Sequence, residues 1–371
     1  MPTNVTPKRW LAVLVLVALV GGLVLAAFLE PVSGLRRTSA IYVWYPDGTV
    51  ERASPDEGTW YQACIRPDGT SVLFVGAVSG PPRVWKADLP GGVARPLTPP
   101  DSAAFVASWN WAGDEIVCSS DRDFDTPSVP LEDLVDPRLY RGGTKRADLY
   151  RGEGSPCRCF NLFVMDADGG NARQVTHGPY RDLRATFTPD GEQLTFFSTR
   201  RTRGAFFSVP VTGDGAPTEI PFDPGAEWTG YRPWYTPDAK TIYFFGSLPG
   251  VPGQPPPRDQ ALRIPARGGA VETIPWDDRG KTQGPFVDPS GEFLLFHSDR
   301  TGRSELYEFP LAGGEPRMLH PPNLSLPADA KIMHPTRSRN GVMAFDVSWR
   351  DGSWLVRAMA GLRWRLRKLF G

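Results

Sequence analysis

A short phrase recurs six times: an apolar stretch, a tight Pro-Asp-Gly-like turn, and a second apolar stretch. The turns are Arg66-Pro67-Asp68-Gly69, Asn110-Trp111-Ala112-Gly113, Thr188-Pro189-Asp190-Gly191, Thr236-Pro237-Asp238-Ala239, Asp288-Pro289-Ser290-Gly291 and Ser338-Arg339-Asn340-Gly341. Proline presets φ near −65° at the second turn position, Asp or Asn caps the turn, and glycine takes the positive φ. The flanks are rich in β-formers and read as alternating strands, as in Ser71-Val72-Leu73-Phe74-Val75 and Thr241-Ile242-Tyr243-Phe244-Phe245. Each phrase therefore predicts a β-hairpin.

A second hairpin accompanies each first one, with turns at Pro46-Asp47-Gly48, Pro90-Gly91-Gly92, Asp168-Gly169-Gly170, Gly213-Asp214-Gly215, Arg267-Gly268-Gly269 and Ala312-Gly313-Gly314. Two hairpins make a four-stranded antiparallel unit, and a period of roughly 40–50 residues is that of propeller blades. One blade cannot bury both faces; six around an axis can. The predicted fold is all-β, a six-bladed propeller over residues 39–353. The chain enters at residues 41–45 with a second-type hairpin and leaves near 332–347 after a first-type one. The two ends are expected to share one blade and close the ring. Ser353-Trp354-Leu355-Val356-Arg357 is also strand-like and competes for the slot of residues 41–45.

Pro-Asp-Gly, an apolar strand, Ser-x-Arg, an apolar strand and Gly-Gly together resemble the blade signature of TolB-like propellers. The fullest copies are Thr188 to Arg200 and Asp288 to Gly302, and the resemblance covers about residues 39–347. It implies the fold. It leaves function open, because such blades occur in periplasmic scaffold proteins, in prolyl-oligopeptidase-like enzymes and in solitary propellers.

Ahead of the repeats, residues 1–9 form a short tail, 10–29 an uncharged apolar run and 30–38 a linker. A helix of this length covers about 30 Å, enough to span the hydrocarbon layer. The expectation is a single-pass anchor. A cleaved signal peptide is the alternative, although the run exceeds the usual ~7–15-residue signal core. Lys8 and Arg9 favour a cytoplasmic N-terminus while Arg36 and Arg37 flank the other side equally. The short tail and the resemblance favour a propeller on the periplasmic, extracytoplasmic side. Residues 354–371 form a basic amphipathic tail. Leu355, Met359, Leu362, Leu366, Leu369 and Phe370 share one helical face, flanked by Arg357, Arg363, Arg365, Arg367 and Lys368, a pattern suited to an anionic lipid surface or to packing on the propeller.

With 41 basic and 41 acidic residues the chain has no basic footprint, and nucleic acid is not an expected partner. Cys64 and Cys118 read as buried small hydrophobes, and Cys157-Arg158-Cys159 has too short a spacing for a zinc knuckle or a relaxed disulfide. The insert at 123–160 and its edge carry Asp121, Asp123, Asp125, Glu132, Asp133 and Asp136, acids that suit calcium in composition but not in spacing. His177, His297, His320 and His334 are the only histidines. No His-x-His pair or Gly-x-Ser-x-Gly elbow is present, and they read as ordinary surface residues. No catalytic residue, cofactor or metal site is assigned. The long segments (123–160, 247–260, 221–230, 275–284 and 320–333) all join second to third strands, or one blade to the next, and so fall on one face. The expected function is a membrane-anchored protein-interaction or scaffold module of the bacterial envelope, its partner meeting that face. The alternatives are a lyase- or hydrolase-type enzyme with its site at the channel mouth, and a ligand-sensing module.

Overall fold

The computed structural model describes residues 37–122, 159–178, 180–200, 205–222, 231–246, 260–274 and 280–350. The expected anchor at 10–29, the tail at 354–371, Cys157 and most of the acidic insert lie outside the described residues. Among the described residues no helix is long and apolar enough to cross a membrane.

The described strands form six four-stranded sheets, each antiparallel along its described pairs. Blade one is Thr59–Ile65, Ser71–Ala77, Arg83–Asp88 and Arg95–Pro96; blade two is Ala104–Trp109, Glu115–Ser120, Asn161–Asp166 and Arg173–Gln174. Blade three is Asp182–Phe187, Gln193–Ser198, Ala205–Pro210 and Thr218–Glu219. Blade four is Tyr231–Tyr235, Thr241–Gly246, Gln260–Pro265 and Glu272–Thr273; blade five is Thr282–Val287, Phe293–Ser298, Glu305–Pro310 and Arg317–Leu319. Blade six joins both ends of the propeller: Lys331–Arg337 and Met343–Arg350 supply its first two strands, Arg37–Trp44 the third and Val50–Arg52 the fourth. The third-strand slot thus belongs to the N-terminal segment. First strands of neighbouring blades touch all the way round, so these strands line the axis.

The turn chemistry appears as the sequence dictates. Gly69, Gly113, Gly191, Gly291 and Gly341 all have positive φ, and Ala239 takes φ 56° in the same place in blade four. Asp68, Asp190 and Asp238 each accept the amide two residues on, at 3.0 Å. Thr188 and Thr236 donate their hydroxyls to Asp190 and Asp238, holding both carboxyls below their ordinary range. Alternation fails in the second strands. Ser71–Ala77 and Glu115–Ser120 are buried along nearly their whole length, because neighbouring blades cover both faces. Val117, Leu162 and Val164 of blade two pack on Ala185, Phe187 and Phe196 of blade three, and Ile41, Val43 and Ala344 of blade six on Trp60, Val72 and Phe74 of blade one. Each fully buried Phe of this kind contributes about 1.5–3 kcal/mol.

The Ser-x-Arg element proves structural. Ser120, Ser198 and Ser298 accept the amides of Arg122, Arg200 and Arg300. The middle residue reaches the segment entering the first strand: Asp121 accepts from Ala103 (2.6 Å), Thr199 from Arg181 (3.0 Å) and Asp299 from Lys281 (2.7 Å). The guanidiniums lie over Phe163, Tyr180 and Tyr307 at 5.7, 4.5 and 4.9 Å from the ring centroids. Asp121, an acid of the candidate calcium group, is thus a buried loop cap.

Candidate functional site at the central channel

All six first strands carry a β-bulge. The register shifts between Tyr61 and Cys64, Phe105 and Ser108, Leu183 and Thr186, Tyr231 and Trp234, Gln283 and Phe286, and Met333 and Thr336. Inside each shift one residue is left-handed: Gln62 (φ 58°), Val106 (44°), Arg184 (59°), Arg232 (48°), Gly284 (63°) and His334 (49°). Each is followed by Ala or Pro and stands seven places before the turn glycine or Ala239, as 62 does before 69 and 334 before 341. A non-glycine residue in this conformation costs of order 1–3 kcal/mol and persists only where its surroundings impose it. Here the fold imposes it at equivalent points of six blades, forming a ring around the axis.

A bulge frees a backbone N–H from its ladder, and that N–H needs another acceptor. Two second-strand residues serve. Asp346 of blade six accepts from the Gln62 amide of blade one (3.1 Å), and His297 Nδ1 of blade five accepts from the His334 amide of blade six (3.3 Å). Both stand opposite the residue just before a bulge; Val75, Ser119, Phe197 and Phe245 hold this position in the other blades. Asp346 is also bonded to His334 Nδ1 at 2.8 Å. With a carboxylate as partner, Nδ1 is the donor. The His297 and His334 rings meet edge to face, 5.1 Å between centroids. Gly284 is required beside them: a Cβ there would lie 3.0 Å from His297 Nδ1 and 3.3 Å from His334 Cδ2. Burial, then the neighbouring His334, drives the His297 pKa well below its ordinary value, so the ring is neutral at pH 7.

Arg232 crosses the axis. From blade four its Nη2 donates to Ala107 O (3.0 Å) and Ser108 Oγ (3.4 Å) of blade two. It neighbours Cys64 of blade one, feels the like charge of Arg184 of blade three and the opposite charge of Asp346 of blade six, and lies 4.9 Å from the Trp234 ring centroid. The side chain is buried, and burial pulls its pKa down. Among the described residues its Nε has no hydrogen-bond partner, nor do Gln62 Oε1 and Asp346 Oδ2. Burial likewise raises the Cys64 thiol, Arg232 opposing, so this thiol is kept in its protonated, unreactive form.

His297 is therefore buried and His334 half-buried, whereas His177 and His320 are exposed. Sequence reading missed Gln62, Arg184, Arg232, Gly284 and Asp346. The signal that marks four of them, all but Asp346, is the constant seven-residue offset from the turn. Among the described residues no group of three His, Cys, Asp or Glu could hold a metal ion. Cys64 and Cys118 are buried as expected, and Cys159 is half-buried.

No family model matches the chain. An uncharacterized protein of Agrobacterium fabrum, Atu1656, is 25% identical over 179 residues, 46% of this chain and 57% of the relative, so the match spans little more than half of that protein. A solved structure from Agrobacterium tumefaciens, provisionally named TolB, superposes with TM-score 0.60 at 16% identity, covering 85% of this chain and 99% of the other. A chain of Kuenenia stuttgartiensis hydrazine synthase gives TM-score 0.53 at 14% identity, covering 76% of this chain and 44% of that one. These likenesses establish a six-bladed propeller similar to TolB propeller domains.

Proposed function

We propose that this protein is a non-catalytic binding propeller, held at the membrane of a bacterial envelope by residues 10–29, with the propeller on the extracytoplasmic side. Its partner is a protein that meets the face carrying the long connections. One observation supports this most: the two faces are unequally committed. On the short-turn face the blades are laced together. Arg66 Nε donates to Gly113 O (2.8 Å), the Arg339 amide to Pro67 O (2.8 Å), Arg339 Nη2 to Trp111 O (2.7 Å), and Asn340 Nδ2 to Asp68 O (2.9 Å). Every first-to-second strand connection is as short as 66–70 or 338–342, whereas the connections 121–160, 220–230, 247–259 and 320–330, which leave the opposite strand ends, are long. Long loops on a rigid scaffold are where recognition residues collect.

The full chain, solubilised from its native membrane in detergent, tests this. Charge substitutions at Val78 and Asn323, on the long-loop face, should abolish recovery of a partner. The same change at Thr212 or Ala312, on the short-turn face, should leave it intact. Equal recovery from all four variants would refute the assignment.

A further inference from the structure

Blades five and six meet through two unlike sets of bonds. At the strand ends from which the long connections leave, the Ile332 amide donates to Ser304 O (3.1 Å), Ser304 Oγ to Ile332 O (2.8 Å) and the His334 amide to His297 Nδ1 (3.3 Å). All three bonds join uncharged groups. Toward the short turns the contacts are ionic: Arg337 Nη2 reaches Glu308 Oε2 at 2.6 Å, and its Nη1 lies 3.8 Å from Asp288 Oδ2. Burial works against the Glu308 charge, but Arg337 and Arg317 outweigh it and hold the carboxyl below its ordinary range. Glu308 is thus still ionised at pH 5, and mild acid leaves this half of the seam intact.

The uncharged half responds differently. A neutral imidazole that accepts at Nδ1 carries its proton on Nε2, so a second proton can enter only at Nδ1. Nδ1 then becomes a donor that faces the donor N–H of His334, and the bond between them is lost. The cation so formed is buried, and among the described residues no carboxylate is bonded to it. Lys281, ahead of the first strand of blade five, and Lys331 and His334 of blade six act on it with like charge. Glu305, on the strand paired with that of His297, is committed to Arg303 (2.8 Å). Asp346 lies behind His334, bonded to that ring and to the Gln62 amide, and Arg232 of blade four brings a further positive charge near Asp346.

We infer that this seam is an acid-released latch: a proton on His297 Nδ1 opens the half between Ser304 and His334, and the half at Glu308 and Arg337 stays closed as the hinge. Opening returns His297 to water, where it binds a proton with its ordinary pKa near 6.5, whereas in the closed seam it does so only at lower pH. The closed form therefore keeps its full advantage above pH 6.5 and loses it as the pH falls. The open fraction grows about tenfold per pH unit below that value, up to about 30-fold between pH 7.5 and 5. The latch belongs to the ring itself and operates whichever face meets the partner.

Amide hydrogen exchange of the full chain at pH 7.5 and 5, corrected for the intrinsic pH dependence of exchange, tests this. In wild type, protection over residues 331–335 should fall by up to about 30-fold at the lower pH. Asp182–Phe187, at the seam of blades two and three, should keep its protection. His297→Asn retains an acceptor but takes up no proton, so its corrected exchange should be the same at both pH values. Ser304→Ala removes an uncharged bond from the same half and should speed exchange by one factor at both. Should His297→Asn fail to fold, His297→Gln supplies a longer amide with the same expected outcome. The inference is overturned if residues 331–335 exchange alike at both pH values in wild type, or if the acid effect is spread equally over all six seams. An acid effect that persists in either amide variant overturns it as well.

Discussion

Asp346 is where the ring closes, and its replacement separates the roles of its two oxygens. The side chain is fully buried, and Oδ1 accepts from the Gln62 amide at 3.1 Å and from His334 Nδ1 at 2.8 Å. Asp346→Ala removes both acceptors. Leaving the buried Gln62 N–H unpaired costs about 1–3 kcal/mol, and loss of a hydrogen bond to a charged group about 1.5–3 kcal/mol more. Part of this is offset, because Ala no longer buries a carboxylate whose Oδ2 is unpartnered. The net loss should be about 2–4 kcal/mol. Asp346→Asn keeps an acceptor at Oδ1 and places a neutral NH2 where Oδ2 stood; it should stay within about 1 kcal/mol of wild type. Urea unfolding of the full chain measures the totals, and amide hydrogen exchange localises them. In the Ala variant, protection should fall in Thr59–Ile65 and Lys331–Arg337, the first strands on either side of the seam. The other seam bonds, Trp60 N to Ser39 Oγ (2.6 Å) and Ile65 N to Thr336 Oγ1 (3.0 Å), should keep the ring closed. If Asn is as damaging as Ala, or if Ala leaves exchange at the seam unchanged, the acceptor argument is wrong.

His297 gives a pH prediction. Its folded pKa lies below the unfolded one, so the unfolded chain binds the extra proton, and stability is full above pH 6.5 and falls as the pH drops below it. The slope is at most about 1.4 kcal/mol per pH unit, and chemical denaturation between pH 7.5 and 5 should show it shrink in His297→Asn; an unchanged slope would exclude His297 as its source. Ala239 is strained at φ 56° where the other five blades have glycine in the same place. Ala239→Gly should stabilise by up to about 1 kcal/mol, the left-handed penalty less the greater entropy glycine loses on folding; a rise in urea midpoint checks it, and a fall would contradict the strain.

What the sequence disclosed follows from the range of the interactions. The hairpin turns were legible because Pro, Asp and Gly act within four residues, and six copies of one turn imply six blades. Ring closure by residues 41–45 was legible for the same reason, as an incomplete start that fits an incomplete end. The second strands read as alternating but are buried throughout, since the blade covering their outer face is distant in sequence. The channel ring was hidden because its six bulge residues, Gln62, Val106, Arg184, Arg232, Gly284 and His334, share a backbone conformation and no side-chain chemistry. Their fixed distance from the turn and the Ala or Pro that follows were visible, but without the bulge neither had a meaning. His297 read as an ordinary surface histidine, and Asp346 was not singled out. Their role comes from orphaned amides of an adjacent blade, in the case of Asp346 an amide 284 positions away in the chain. Ser-x-Arg was recognised as a signature, and its capping and ring-stacking roles needed the fold.

The central claim is that the long-loop face binds and the short-turn face holds the ring together. The most direct measurement is a photo-cross-linking map made in intact cells with the full chain. A photoreactive residue is placed singly at Val78, His177 or Asn323 on the first face, and at Val93, Thr212 or Ala312 on the second; all six positions are exposed. The account predicts a discrete protein adduct from the first three positions and none from the other three. Adducts confined to the second set, or distributed evenly over both, would contradict it.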